Sequence, residues 1–397
     1  MPVHQHSRVI VVGGGLAAAR TCQALRRRGF DGTITLLTDE RILPYDRPPL
    51  SKDVLAGKRD DTALKIDFAD LDVHVVHGAA AQTLDMDRRV VTTSAGDFDY
   101  GGLVIATGAH PIRVPGDGEQ LTLRTLQDAI ALRQRLTPGT RVVLIGASWI
   151  GAEVATAALA HGCTVSCVEA GPAPLAQALG EQVGKRLLSW WSGIDLRLGT
   201  SVEQVSDGGV LLSDGCSLAA DVVVTGVGVR PSAGWLDGSR IQLDRGVVVD
   251  ERLIAAPDVV AVGDVAAWWS RTWNQRMRIE HWDDAASGPA TAAASLLYPD
   301  APDGPIHDPV PYFWSDQFGN KLQYVGAHGA EDSLVWRDHG ADRWTAAWVA
   351  PDGRLTAALV TNLPREMVQA RKAIADGLCP APELLQDPAV SIADSSR

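Results

Sequence analysis

Two glycine-centred strings in this 397-residue sequence have the composition that holds a diphosphate: Gly13-Gly14-Gly15-Leu16-Ala17-Ala18 and Gly146-Ala147-Ser148-Trp149-Ile150-Gly151. Each follows a short β-branched run, Arg8–Val12 or Arg141–Ile145, and opens a stretch of helix-forming residues. At such a strand–turn–helix junction the first glycine permits the tight turn. The third position lets a pyrophosphate approach the backbone, and the last small residue lets the helix pack on the strand. The helix N-terminus then offers amide donors and a partial positive charge. Carboxylates for ribose hydroxyls follow at a fitting interval. Asp39, next to Glu40, lies 26 positions after Gly13, and Glu169 lies 23 after Gly146, against roughly 20 in the dinucleotide fingerprint. Ser148 replaces the middle glycine of the second string and crowds the approach of a pyrophosphate, although its hydroxyl could bond one. An ordinary α/β turn stays open as the reading of that string. No Arg or Lys occurs between Glu169 and Lys185, so a 2′-phosphate would meet a carboxylate and no local cation, which favours NADH over NADPH.

The elements that must hold these turns are legible around them. The first helix is expected to end at Arg28 before Gly29, with a strand at 33–37. The second is expected over 152–161 before Gly162, with a strand at 164–168. Two βαβ units imply two dinucleotides, a flavin and a nicotinamide, on an α/β fold with two Rossmann-like FAD/NAD(P)-binding domains. A composition of 46% apolar and 21% charged residues excludes a disordered or collagen-like chain. The net charge of −12 argues against nucleic acid or an anionic membrane as the main partner. Residues 1–60 run against that trend, with ten Lys/Arg to six acids. They read either as a solvated helix face around 26–28 or as a docking patch for an acidic partner. The longest apolar run, 9–19, contains three glycines and falls well short of the roughly 18 residues that span a bilayer. The first eight residues lack the apolar core of a signal peptide. A soluble, cytoplasmic protein is expected. Five scattered cysteines without a C-x-x-C argue against a zinc site or a thioredoxin-type dithiol, and no metal is expected. Cys163 and Cys167 flank one strand, too far apart for a disulfide, and read as buried free thiols.

The segment Arg41-Ile42-Leu43-Pro44-Tyr45-Asp46-Arg47-Pro48-Pro49-Leu50-Ser51-Lys52 resembles the flavin-contacting loop of the putidaredoxin-reductase-like ferredoxin reductases that serve bacterial oxygenases. These belong to the glutathione-reductase-like flavoprotein superfamily. Ile105-Ala106-Thr107-Gly108 is similar to the superfamily's ATG element, Thr225-Gly226-Val227-Gly228-Val229-Arg230-Pro231 to the element closing its NAD domain, and Ala261-Val262-Gly263-Asp264 to its second FAD motif. Arg278-Ile279-Glu280-His281-Trp282 and Tyr312-Phe313-Trp314-Ser315-Asp316-Gln317 resemble the subfamily's C-terminal half. The resemblance implies a flavin set of Gly13, Gly15, Leu16, Ala17, Ala18, Asp39, Arg47, Lys52, Ala81, Ala106, Thr107, Gly108, Gly263, Asp264, Trp282 and Trp314. It implies a nicotinamide-dinucleotide set of Gly146, Ser148, Trp149, Ile150, Gly151, Glu153, Glu169 and Gly228. Lys52 is implied to lie near the reactive flavin nitrogen, paired with Glu153, and these two form the catalytic pair. Asp264 follows an apolar run and a glycine, where a carboxylate can accept a bond from a ribityl hydroxyl. The alternative is an N-cap for a helix over 265–269. For Lys52 the plain alternative is a surface lysine, and for Trp282 and Trp314 a core aromatic.

One absence separates branches of the superfamily. Its disulfide reductases carry a C-x-x-x-x-C pair just after the first helix, whereas this sequence has no cysteine between Cys22 and Cys163. Dithiol chemistry is excluded, and a hydride pair taken from NADH must leave by another route. In the resembled family it leaves one electron at a time to an iron–sulfur ferredoxin. The expected function is electron transfer from NADH through FAD to a small ferredoxin that feeds an oxygenase, by a monomer or weak homodimer. The alternatives are an NADH-binding redox sensor resembling apoptosis-inducing-factor-type flavoproteins, or an NADH-dependent reductase of rubredoxin or a small molecule. The expected architecture is an FAD domain at 1–112 and 246–310, an NAD domain at 113–245, and a small α+β C-terminal domain at 311–397. In the last, 313–324 and 345–349 read as strands, 365–375 as a closing helix, and 387–397 as a frayed tail. Eight of the twelve tryptophans fall after residue 260 and are expected mostly in the core of that domain.

Overall fold

Strand β1 (Arg8–Val12), helix α1 (Leu16–Arg27) and strand β2 (Thr33–Thr38) form the centre of the first of two compact units. The computed structural model describes residues 7–301 and 303–396; most of the segment read for a leader, residues 1–6, lies outside the described residues. The first unit takes the chain up to Asp46, Ala63–His110 and Arg230–Pro311. Its six-stranded sheet runs in the order Ile254–Ala256, Val259–Ala261, Gly102–Ile105, β1, β2, Val73–His77. β1 runs parallel to both neighbours, with Val9 opposite Ile34 and Val12 opposite Ile105. A strand covered on both faces needs a continuous apolar run, and Val9-Ile10-Val11-Val12 supplies it. The chain leaves β1 to one side for β2 and returns later on the other. Such a reversal of strand order opens a crevice at the carboxyl ends of the strands, where ligands bind.

The second unit, Arg47–Thr62, Pro111–Val229 and the chain from Tyr312 onward, repeats the arrangement. Strand β3 (Arg141–Ile145), helix α2 (Trp149–Ala160) and strand β4 (Thr164–Glu169) lie in a parallel sheet ordered Asp195–Leu198, β4, β3, Val222–Thr225. Strand order reverses at β3, which gives a second crevice. The helix starts three residues before the expected 152, because the chain enters α2 directly from the turn.

A five-stranded antiparallel sheet follows in the same unit, ordered β5 (Tyr312–Gln317), β6 (Asn320–Gly326), Leu355–Thr361, Trp344–Val349, Ser333–Asp338. The single strand expected over 313–324 is a hairpin. Phe318 (φ 51°) and Gly319 (φ 81°) are both left-handed and form the tight turn whose twist suits antiparallel strands. Phe318 is not a turn-forming residue type, and it concealed the break. The tail expected to fray is docked instead, since Ile392 and Ser395 are buried and Pro380 bridges Ser396. The tryptophan expectation also needs correction: Trp268, Trp269, Trp273 and Trp282 belong to the first unit. In the second, Trp344 and Trp348 share a core with Trp190, Leu175, Leu179 and Val183. That core lies within the second unit, which contains Pro111–Val229 and the chain from Tyr312 onward. Leu55 packs among Leu132, Val154 and Ala158, and Arg47–Thr62 is compact with the second unit.

Candidate functional site

In the first unit Gly13 turns the chain off β1 at φ 133°, and a Cβ there would lie 2.1 Å from the Ala106 carbonyl oxygen. Only glycine fits this crossing of two backbones. Gly15 differs. It caps α1 in extended conformation with no side-chain acceptor, the first turn holds no acid, and a Cβ there would meet nothing within 4 Å. Open space in front of an uncapped helix N-terminus at a switch point is what an anionic diphosphate requires. Ala17 and Gly263 close the other side, a Cβ on Gly263 falling 2.9 Å from that of Ala17. This contact brings Asp264 to the mouth of the turn. Asp264 sits in a 3-10 turn, Gly263–Val265, that runs into a strand, Ala266–Ser270, so the N-cap alternative has no helix to cap. Arg278 pins the turn by donating to the Asp264 carbonyl at 3.2 Å. Thr107 donates to the Ser232 carbonyl at 2.7 Å, Gly108 is left-handed, and Ala81 opens the strand Ala81–Asp85. Of the acidic pair, Asp39 is exposed, whereas Glu40 is half-buried and accepts from the Tyr45 hydroxyl at 2.7 Å. Glu40 therefore joins Asp39 as a candidate for the ribose.

The second unit carries the other turn. Gly146 is left-handed at φ 101°, and a Cβ on it would press to 2.6 Å from the Gly226 carbonyl oxygen. A Cβ on Gly151 would fall 2.1 Å from the Gly146 carbonyl oxygen. Ser148 occupies the cap position with φ −83° and ψ −179°, close to the φ −98° and ψ −174° of Gly15. The position needs no glycine, and the Ser148 hydroxyl accepts from the Gly151 amide at 3.1 Å. Glu169, at the end of β4, accepts from the Ala147 amide at 2.8 Å and from the Gly171 amide at 2.7 Å. Its carboxylate is thus fixed beside the turn. Ile150 and Val227, both at this end of the sheet, are among the few large apolar side chains left exposed, and Gly228 is left-handed at φ 109°.

Lys52 lies in a π-helical turn, Leu50–Val54, that follows Pro48 and Pro49. Its Nζ donates to Glu153 Oε1 at 2.8 Å, so the sequence pairing of a lysine and a glutamate about a hundred residues apart is realised. The lysine is 20% exposed and the glutamate 4%. Sequence reasoning missed the rest of the cluster. Ser315 Oγ donates to Glu153 Oε1 at 2.6 Å, Ser51 Oγ donates to Oε2, and the Asp316 amide reaches Oε1 at 3.3 Å. Period-two spacing places Ser315 and Gln317 on one face of β5, the single signal that could have flagged them.

The comparisons with known proteins bear on this geometry. Residues 7–288 match the family Pyridine nucleotide-disulphide oxidoreductase. The chain belongs to that family. Residues 312–395 match the family Reductase C-terminal. The anthranilate 1,2-dioxygenase system ferredoxin–NAD(+) reductase component of Burkholderia cepacia is 35% identical, over 96% of this chain and 98% of its own. Among solved structures, the protein named Fdr9 superposes with a TM-score of 0.95 at 55% identity, covering 98% of this chain and 99% of its own. The covalent putidaredoxin reductase–putidaredoxin complex gives 0.89 at 30% identity, with 96% of each chain covered.

Within the pyridine nucleotide-disulphide oxidoreductases this chain has no cysteine between Cys22 and Cys163, so the segment around Lys52 carries no thiol. All five cysteines are free; Cys22, Cys163 and Cys167 are buried, and burial pushes the Cys22 thiol up to about 12. The remaining oxidoreductase candidates fall in both units. In the first, Trp282 opens the helix Trp282–Leu297 and donates from Nε1 to Asp46 at 2.6 Å. The neighbouring His281 is pushed down to about 4 by burial, which the Asp264 carboxylate partly offsets. In the second, Arg47 donates to the Arg124 carbonyl at 2.5 Å, Trp314 stacks on Tyr312 and Trp149 meets Phe313 edge-on. Trp282 and Trp314 are half-buried, unlike Trp268 and Trp344, which fill the cores.

Proposed function

We propose that this oxidoreductase passes electrons from NADH through FAD to a small iron–sulfur ferredoxin that feeds an oxygenase. The observation that carries the proposal is the second dinucleotide turn, complete with a carboxylate already held by two amides beside it. The chain is thereby equipped for two dinucleotides, and the names of its relatives supply the acceptor. The residues present fit FAD. The uncapped α1 N-terminus and open Gly15 suit its diphosphate, Asp39 or Glu40 its ribose, and Asp264 a ribityl hydroxyl. When bound, FAD supplies the exchange between a hydride pair from NADH and single electrons.

The chain's own residues bind, orient and set charge. Glu169 accepts from the adenosine ribose hydroxyls of NADH and repels a 2′-phosphate. The α2 amides beyond Ser148 face the pyrophosphate. Ile150 and Val227 offer apolar cover to the nicotinamide end, where water must be excluded. Lys52 holds a positive charge for the reduced flavin ring, and Glu153 keeps that charge in one place. Trp282 in the first unit and Trp314 in the second are each half-buried, with the flat apolar face on which a planar ring packs. A cytoplasmic location suits NADH as donor and a chain whose cysteines are free.

The test is direct. Purified protein carries flavin absorbance that NADH bleaches without oxygen, and cytochrome c reduction depends on added ferredoxin. Flavin that NADH leaves oxidised sinks the proposal. For the nicotinamide turn, Glu169→Ala weakens NADH binding by about 1–2 kcal/mol through lost charge-assisted hydrogen bonds. Titration of the oxidised protein with NAD measures this. An unchanged dissociation constant removes Glu169 from the site.

A further inference from the structure

We infer that Ser315 and Gln317, on the first strand of the C-terminal sheet, are positioning residues for Lys52, acting through the carboxylate of Glu153. The inference rests on the reading that Lys52 faces the flavin. It adds two residues of the C-terminal sheet as determinants of that lysine's charge and place.

The argument begins with the cost of burying Glu153. A carboxylate 4% exposed needs a donor for every lone pair it turns inward. The Lys52 ammonium supplies one, at 2.8 Å. Ser315 supplies a second to the same oxygen at 2.6 Å, and Ser51 serves the other oxygen. Gln317 Nε2 donates to Ser315 Oγ at 3.0 Å. The serine oxygen is then occupied as acceptor, and its own proton is directed to Glu153. Gln317 donates to Ser315 and Ser315 to Glu153 Oε1, and the Lys52 ammonium donates to that same oxygen, so both arms end on one acceptor.

Ser315 and Gln317 are each 1% exposed, on the face of β5 that also carries Phe313. Apolar side chains would fill that face without any polar group to satisfy. Two buried polar residues that end on one carboxylate are explained by what the carboxylate holds. Without Ser315, Oε1 keeps only the Lys52 ammonium and the longer 3.3 Å contact from the Asp316 amide. The carboxylate, still held by Ser51 at its other oxygen, can then tilt about that bond, and the lysine, 20% exposed and tethered only at its tip, shifts with it. Charge-assisted hydrogen bonds are the strong ones, so the loss is felt at the ammonium.

The experiment uses the flavin-loaded protein and reads the flavin itself, with no turnover. The two-electron midpoint potential and the visible spectrum are measured for wild type, Ser315→Ala, Ser315→Thr, Gln317→Leu, and Lys52→Met as reference. Ser315→Ala is expected to lower the reduction equilibrium by about tenfold, or about 30 mV for a two-electron couple, in the same direction as Lys52→Met. Ser315→Thr keeps the hydroxyl and restores the wild-type value. Gln317→Leu shifts in the same sense by less, and it decides the matter if Ser315→Ala fails to fold. A wild-type potential and spectrum in Ser315→Ala, or in Gln317→Leu where that variant decides, overturns the inference if Lys52→Met shifts, and leaves the reading of Lys52 standing. A wild-type potential in Lys52→Met overturns that reading itself, and this inference with it.

Discussion

Gly13 and Gly15 are two positions apart, yet substitution should separate stability from binding. Gly13 is left-handed with the Ala106 carbonyl 2.1 Å from where a Cβ would sit. Gly13→Ala is therefore expected to destabilise the protein by about 1–3 kcal/mol from the dihedral alone, and by more once the clash is added. Gly15 is extended at φ −98° and faces open space. Gly15→Ala should leave the melting temperature of the apoprotein unchanged. It should weaken FAD binding by at least roughly tenfold, about 1.4 kcal/mol, because the added methyl occupies the path of the diphosphate. Melting curves and FAD titration of the apoproteins check both. A Gly15→Ala variant that binds FAD normally would show that the open space is not the diphosphate site. At this scale the motif was legible because each glycine answers to a local backbone demand. The partners of Glu153 were not, because Ser51 and Ser315 reach it from positions about a hundred and more than a hundred and sixty residues away.

Elements were legible where one periodicity ran without interruption. β1 and β3 fall where their apolar runs fall. The β5–β6 hairpin was hidden because its turn uses Phe318, and a left-handed phenylalanine leaves no trace in residue type. Ser148 was read as a crowded glycine, whereas backbone geometry makes it an N-cap of α2. The C-terminal segment is the clearest case of order set from a distance. Arg337, 1% exposed, donates to the carbonyls of Leu385, Asp387 and Val390, and pairs with Glu366 at 3.0 Å. Burial raises the Glu366 carboxyl, but bonds from Arg337 and Thr345 outweigh it and hold the group below its ordinary value. Arg337→Met takes the ion-pair partner from that charge, which keeps Thr345 and His339, and takes the arginine donor from three carbonyls. The expected cost is about 3–5 kcal/mol, seen as a lower melting temperature and as proteolysis between Pro382 and Ser396 before the rest of the chain is cut. A tail that resists protease as in wild type would show that its own packing, with Ile392 buried, suffices.

For the whole molecule, net charge proved a weak guide. A total of −12 predicts solubility, and it places no docking site. Individual cations away from residues 1–60 are already engaged: Lys372 is paired with Asp376 at 2.6 Å, and Arg371 lies over the Tyr312 ring. The chain returns to its first unit after an inserted segment, and the tryptophan core and the packing of Leu55 within the second unit leave no local signal. Global stability against acid follows from individual groups whose signs differ. His281 is pushed down to about 4 by burial, and burial also lowers His328 in the second unit. An unfolded histidine takes its proton near 6.5. The His281 contribution is therefore complete above about pH 6.5 and is lost as pH falls from there through 4, by at most about 3 kcal/mol. Asp284 works the other way: burial raises its carboxyl, so the folded state holds a proton above pH 3.8 and regains stability as pH falls. The two effects separate by mutation. His281→Asn removes the titrating ring at similar size, and the fall in denaturant midpoint between pH 6.5 and 4.5 should become shallower than in wild type. Above pH 7 the two proteins should differ only by a constant. If the variant loses stability with acid as steeply as wild type, His281 is not held neutral in the folded protein, and the acid limb belongs to other groups.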